Sequence, residues 1–167
     1  VIMIHGGGWR SGNKNQMQFI GKEIVAKGYS CFAIEYRLSL EAKYPEGVID
    51  VKNAIKFIKD NAAKFNVDPN KIAILGCSSG GQMAALIGTT NNNPLFEDKE
   101  FKSRSSSKVH AIIDVDGVLA FKHPESSEGD MASILVRRKI RRNTRKLEKR
   151  FGVEPYRSKY ATSIIHL

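Results

Sequence analysis

The sequence predicts an α/β domain, a three-layer sandwich in which helices cover both faces of a mostly parallel sheet. Short apolar runs alternate with longer stretches of helical periodicity. The apolar runs lack a polar and apolar alternation, as strands buried on both faces do. Their order, strand, helix, strand, helix, strand, helix, strand, requires crossover connections, and those make neighbouring strands parallel.

Val1 to Ile4 reads as the first buried strand, and His5-Gly6-Gly7-Gly8-Trp9 as the loop after it. Met17, Ile20 and Ile24 recur at helical spacing, so Asn15 to Lys27 is expected as a helix, with Gly28 supplying the positive φ of its C-terminus. Ser30 to Tyr36 is the second strand. From Pro45, the residues Val48, Val51, Ile55, Ile58, Ala62 and Phe65 form one stripe, predicting a single helix ended by Asp68-Pro69-Asn70. Lys71 to Cys77 is the third strand and Gly80 to Gly88 the helix after it. Asn91 to Lys108, rich in Asn and Ser, is expected as a surface loop, and Val109 to Val115 as the fourth strand, closed by Asp116-Gly117. Beyond it, 118–160 is expected as an irregular, cap-like segment, with Leu119 to Asp130 irregular and Met131 to Phe151 a basic helix.

The chain has 167 residues, 41% of them hydrophobic, which suits one packed domain spanning 1–167. No apolar run approaches the length a bilayer demands. Because Val1 already looks like strand interior, the amino terminus is expected to be missing, and compartment is left open. Oligomeric state is left open too. The net charge of +10 is local: Arg137 to Arg150 holds nine Lys or Arg residues and one acid, Glu148, which is +8 of it. A solvated helix face explains that run best, a polyanion-binding face second; nucleic-acid binding would need a reading motif or stacking aromatics that the sequence does not form. Cys31 and Cys77 lie on strands expected to be separated by a third, roughly 10 Å apart and beyond disulfide reach, so both are expected as buried thiols.

The chemistry centres on Gly76-Cys77-Ser78-Ser79-Gly80, a Gly-x-Ser-x-Gly pattern between a strand and a helix. A serine hydroxyl is a poor nucleophile unless a base takes its proton and donors hold the oxyanion. In this turn Ser78 is the candidate nucleophile, Gly76 and Gly80 leave room where the chain is crowded, and the following helix points its positive end at the developing charge. The glycines of His5-Gly6-Gly7-Gly8-Trp9 let backbone N–H groups approach a ligand oxygen, the other half of an oxyanion hole.

Those motifs, with "EYRL", "YPEGVIDVKNAIKFI", "VDPNKIAILGCSSGG" and "AALIG" in that order over Val1 to Gly117, resemble the α/β-hydrolase esterases, specifically bacterial acetyl- and feruloyl-esterase-like enzymes near the hormone-sensitive lipases. The resemblance implies an α/β-hydrolase fold, here incomplete at both ends, lacking its first strands and its last two. It implies a serine esterase with a Ser-His-Asp triad, acting on short acyl esters such as acetyl groups on carbohydrates, with no cofactor or metal; relatives are often secreted or periplasmic. Carried over, Ser78 is the nucleophile, and Gly7, Gly8 and the Ser79 N–H are the oxyanion donors. Gly6 and His5 support the glycine loop, and Trp9 packs under it or lines the pocket. The strands bearing the triad acid and histidine are not evident. Asp114 and Asp116 end the strand beside the nucleophile, and Asp116 is the candidate acid. His110 opens a strand at the wrong end of the sheet, His123 lies in the irregular segment, and His166 reads as structural. The alternatives are a serine peptidase of the same fold and a catalytically impaired, hydrolase-like binding protein.

Overall fold

A computed structural model describes residues 1–119 and the backbone strand at 164–166. The cap-like segment and basic helix expected from residue 120 onward, and with them His123, lie outside the described residues. The strands are β1 (Ile2–Ile4), β2 (Phe32–Ile34), β3 (Ala73–Cys77), β4 (Ala111–Val115) and β5 (Ile164–His166), in the order β4-β3-β1-β2-β5. The first four are parallel, and β5 runs antiparallel along β2. No strand was expected at Ile164–His166: a run that short carries no periodicity.

Alternate residues of a strand face opposite sides of the sheet, and the core divides accordingly. Ile2, Ile4, Phe32, Ile34 and Ile74 pack on one side against α2 (Glu46–Asp60) and α4 (Ser79–Thr89). Met3, Ala33, Leu75 and Cys31 pack on the other beside Met17 and Ile20, which belong to a 3₁₀ turn (Lys14–Met17) and to α1 (Gln18–Val25). The helix expected over Asn15 to Lys27 is therefore divided, with its first turn wound tighter. Gly28 holds φ +87°, as its place after a helix predicts.

The long stripe also divides. Asn61 has φ −108°, and its side chain donates to the Phe57 carbonyl at 2.8 Å, which ends α2 and leaves α3 (Ala62–Phe65) as a short separate turn. Val51, Ile55 and Ile58 are fully buried, each worth about 2 kcal/mol of transfer free energy.

The polar side of α2 is covered as well. Lys52 is completely buried; its Nζ donates to the Thr90 carbonyl at 2.8 Å and pairs with Glu97 at 3.3 Å. Lys56 pairs with the other Glu97 oxygen, Ser107 donates to Glu97, Asn53 donates to Asp98 at 3.0 Å, and Lys59 donates to the Lys108 carbonyl. The segment read as a surface loop is thus a strap bound along α2 by buried lysines. Burial lowers the Lys52 pKa. Burial would raise that of Glu97, but Lys56, Ser107 and Lys52 together hold it below the ordinary carboxylate value.

β1 lies between β2 and β3, so Cys31 and Cys77 are kept apart, and both are free thiols. Cys31 is buried as expected; Cys77 is only half-buried, because it ends its strand at the open rim of the sheet.

Candidate active site

β1 and β3 are neighbours, with Ile4 opposite Gly76, so the glycine run and the serine turn leave the same end of the sheet side by side. A Cβ on Gly6 would lie 2.9 Å from the Cys77 carbonyl oxygen and 3.3 Å from the Ser78 Cβ, which measures how closely the two loops touch. Ser78 itself has φ 54° and ψ −122°, a conformation that only strong surrounding constraint maintains in a residue with a side chain. Its N–H donates to the Val115 carbonyl at 2.8 Å, and its carbonyl accepts from Gln82 at 3.1 Å. Gly76 and Gly80 face each other across the turn. A Cβ on Gly76 would overlap the Gly80 carbonyl, and one on Gly80 would overlap the Ile4 carbonyl and sit 2.6 Å from that of His5. Ser79 opens α4, where the first N–H groups have no partner inside the helix.

Gly7 (φ 118°) and Gly8 (φ 60°) both take conformations that disfavour side chains. Gly7 turns its carbonyl into the loop, accepting from Arg10 and Ser11 at 3.1 Å, while the space around Gly8 is open.

His5 is fully buried beneath this loop. Its Nδ1 lies 2.8 Å from the Gly6 carbonyl, which can only accept, so Nδ1 carries the proton. Its ring stacks on Tyr36 with centroids 4.4 Å apart, and Nε2 stands 3.7 Å from Glu35. The Tyr36 hydroxyl donates to the His5 carbonyl at 2.9 Å. Burial pushes the Tyr36 phenol up to about 12, the Ser79 hydroxyl opposing and Glu35 adding to it, so Tyr36 stays a donor at any working pH. Glu35 also accepts from the Lys14 N–H at 3.2 Å.

Tyr36 and Glu35 were not singled out from the sequence. The signal was present: two groups able to ionise, at the end of an otherwise apolar strand. The neighbouring Arg37 explains the "EYRL" and "YPEGVID" stretches physically. Its Nε and Nη2 donate to the two oxygens of Asp50, both at 2.7 Å, and Nη2 also pairs with Glu46 at 2.7 Å. This buried fork fixes the loop after β2 to the start of α2. Burial opposes the Arg37 charge, but Asp50 and Glu46 outweigh it and raise the pKa.

At the end of β4, Asp116 is exposed with φ 56°. Asp114 packs its carboxylate against Gly81 and Gly117, close to the start of α4, and one of its oxygens is buried with no hydrogen-bond partner. Burial, and secondarily Asp114, raise the Cys77 thiol pKa. His110 lies at the opposite end of β4, with Nδ1 accepting from the Ile72 N–H at 3.2 Å. His166 pairs with Phe32, at the start of β2, and so is also placed at the far end from Ser78.

A cavity of about 400 Å³ opens between the loops after β1 and β2, the start of α2, and α4. Trp9, Tyr36, Tyr44, Val48, Met83 and Leu86 form its apolar walls. Among the described residues, no group of three or more His, Cys, Asp or Glu is arranged to hold a metal, and no helix is long and apolar enough to cross a membrane.

The geometry has counterparts. The BD-FAE family profile matches residues 1–159, nearly the whole chain. The chain belongs to the BD-FAE family. Among curated relatives of this BD-FAE chain, the esterase LipC of Mycobacterium tuberculosis is 35% identical over 118 residues, covering 70% of the chain and 29% of LipC. A truncated form of a carbohydrate esterase from gut microbiota is 35% identical with a TM-score of 0.64, covering 70% of the chain and 45% of that structure. The propionate-bound Est2 esterase of the planctomycete Thermogutta terrifontis is 29% identical with a TM-score of 0.63, covering 80% of the chain and 49% of that structure. The BD-FAE chain therefore has the fold of the serine esterases of the α/β-hydrolase, hormone-sensitive-lipase-like group, and it spans less than half the length of these relatives.

Proposed function

We propose that the protein is a serine carboxylic-ester hydrolase that forms an acyl-enzyme on Ser78. The observation that carries this is the backbone of Ser78: a strained residue between β3 and α4, with glycines where side chains would collide and the glycine loop packed against it. Ser78 Oγ attacks the ester carbonyl carbon, and the carbonyl oxygen becomes an oxyanion facing the N–H groups of Gly7, Gly8 and Ser79. The C–O bond to the alcohol then breaks, the alcohol leaves with a proton, and water cleaves the acyl-serine to release the acid. The His5 imidazole, bound to Gly6 and stacked on Tyr36, holds the glycine loop and is not the base. Asp116 is the candidate acid among the described residues.

The substrate class is an acyl ester on a carbohydrate, short acyl groups such as acetyl being the simplest case. Likeness to the gut carbohydrate esterase supports it, and Est2, with propionate bound, supports a short acyl group. A second reading, a hydrolase-like binding protein, is favoured by the placement of His110 and His166 away from Ser78. Assays of p-nitrophenyl and sugar acetates on the wild type and Ser78→Ala separate the two. The esterase reading expects kcat to fall roughly ten-thousand-fold in the variant. Turnover within about twofold of the wild type in Ser78→Ala would refute it. Cleavage of peptide amides in preference to esters would move the reading to a peptidase.

A further inference from the structure

We propose that Glu35 is a positioning residue for the glycine loop: its carboxylate clamps together the two ends of the segment 5–14, which carries the Gly7 and Gly8 N–H groups. The proposal rests on the acyl-serine reading and adds to it the side chain that sets where those donors stand.

The tip of the loop has little to hold it. Gly7 and Gly8 are exposed, and a Cβ on Gly8 would meet no atom within 4 Å. Inside the loop, the Arg10 and Ser11 N–H groups and the Ser11 hydroxyl all donate to the Gly7 carbonyl, which fixes its shape. The Ser39 N–H, donating to the Trp9 carbonyl at 2.7 Å, ties one flank to the segment after β2. How the tip meets Ser78 then depends on the base.

The base is where Glu35 acts. Ile4 is opposite Ile34, so His5 and Glu35 leave adjacent parallel strands side by side. Glu35 Oε2 accepts from the Lys14 N–H at 3.2 Å, where the loop runs into the 3₁₀ turn, and Oε1 stands 3.7 Å from His5 Nε2, where the loop begins. One carboxylate thus reaches both ends. Those ends are themselves pressed together: a Cβ on Gly12 would lie 2.5 Å from the Gly6 carbonyl oxygen and 2.7 Å from His5 Nδ1. Nε2 is buried with no hydrogen-bond partner, and with the proton on Nδ1 it faces Oε1 acceptor to acceptor, so this second contact closes when a hydrogen lies between them.

The Glu35 side chain is 35% exposed, so removing it opens no buried cavity, and a role in stability alone predicts little effect. An oxyanion donor in place is worth roughly a hundredfold or more in kcat, and a displaced one forfeits part of that. Because the oxyanion forms in the transition state, the loss falls on kcat and spares KM.

The test takes the full chain through p-nitrophenyl acetate kinetics and hydrogen–deuterium exchange of the loop amides. Glu35→Ala should lower kcat roughly tenfold with KM within about twofold of the wild type. It should also speed exchange across 5–14 at an unchanged urea midpoint. Glu35→Gln keeps an acceptor for the Lys14 N–H and brings a donor to Nε2, and should restore slow exchange and return kcat to within about twofold of the wild type. A loss of activity that follows a fallen urea midpoint, and that glutamine does not rescue, would overturn the proposal. Ser78-dependent hydrolysis with kcat and loop exchange indifferent to Glu35→Ala would overturn it too and leave the esterase standing. Fast loop exchange in Glu35→Ala, reversed in Glu35→Gln, in a protein that hydrolyses no ester would keep the clamp and remove the esterase reading.

Discussion

Two buried polar clusters lie within the same small sheet-and-helix layer and are built on opposite terms. Along α2, Lys52, Lys56 and Lys59 are matched to Glu97, Ser107 and two backbone carbonyls; Asn53, bonded to Asp98, leaves only its own amide oxygen unpaired. Around the serine turn, the His5 Nε2 and an Asp114 oxygen are buried without hydrogen-bond partners, and Ser78, Trp9 and Asp116 hold positive φ. A polar cluster that only fastens a strap gains by saturating itself. Under the proposed function the serine turn is the cluster that meets a substrate, where unused hydrogen-bonding capacity and backbone strain are of use, and the surrounding close packing maintains both.

Either cluster can be disrupted by a single substitution. The largest effect is expected from Gly80→Ala, whose methyl group has no room between α4 and the carbonyls of Ile4 and His5. About 3 kcal/mol of stability should be lost, read from the urea midpoint, together with esterase activity. Next is Glu97→Ala, which takes the carboxylate from Lys56 and leaves Lys52 the Thr90 carbonyl, and should cost about 2 kcal/mol without touching the serine turn.

The Glu97 variant should also differ from the wild type in its dependence on pH. The folded pKa of Glu97 lies below its ordinary value of 4.5. Its stabilisation is therefore present above pH 4.5 and is lost as pH falls through the lowered folded value. Stability against pH should accordingly be flatter below 4.5 in Glu97→Ala than in the wild type; equal slopes would mean the strap gains nothing from that charge. The smallest effect is expected at the other cluster. Tyr36→Phe removes the donor to the His5 carbonyl, and should lower kcat roughly fivefold, about 1 kcal/mol, with KM unchanged. A change confined to thermal stability would make Tyr36 a packing residue only.

What was legible in the sequence follows the range of the interactions involved. The parallel strands could be read from their apolar runs, and the serine turn from glycines whose need is local, as the collisions at Gly76 and Gly80 show. The strap was not legible. Lys52 looks like an exposed helix residue, and its partner Glu97 is 45 positions away, with no periodic signature linking them. The break at Asn61 depends on one side chain returning to Phe57, against a hydrophobic stripe that continues past it. The pairing of Ile164–His166 with β2 joins segments more than a hundred residues apart. Within the site, the glycine and serine motifs were evident. The support given by Tyr36 and Glu35 was not, because it passes through the folded position of His5.

The central claim, that the strained Ser78 is an activated nucleophile, is tested most directly by covalent labelling. The folded protein would be treated with a fluorophosphonate and the adduct mapped by peptide mass spectrometry. The account predicts one adduct, on Ser78, abolished in Ser78→Ala and by prior unfolding. A cooperatively folded protein in which Ser78 stays unmodified while the reagent labels other active serine hydrolases would contradict it.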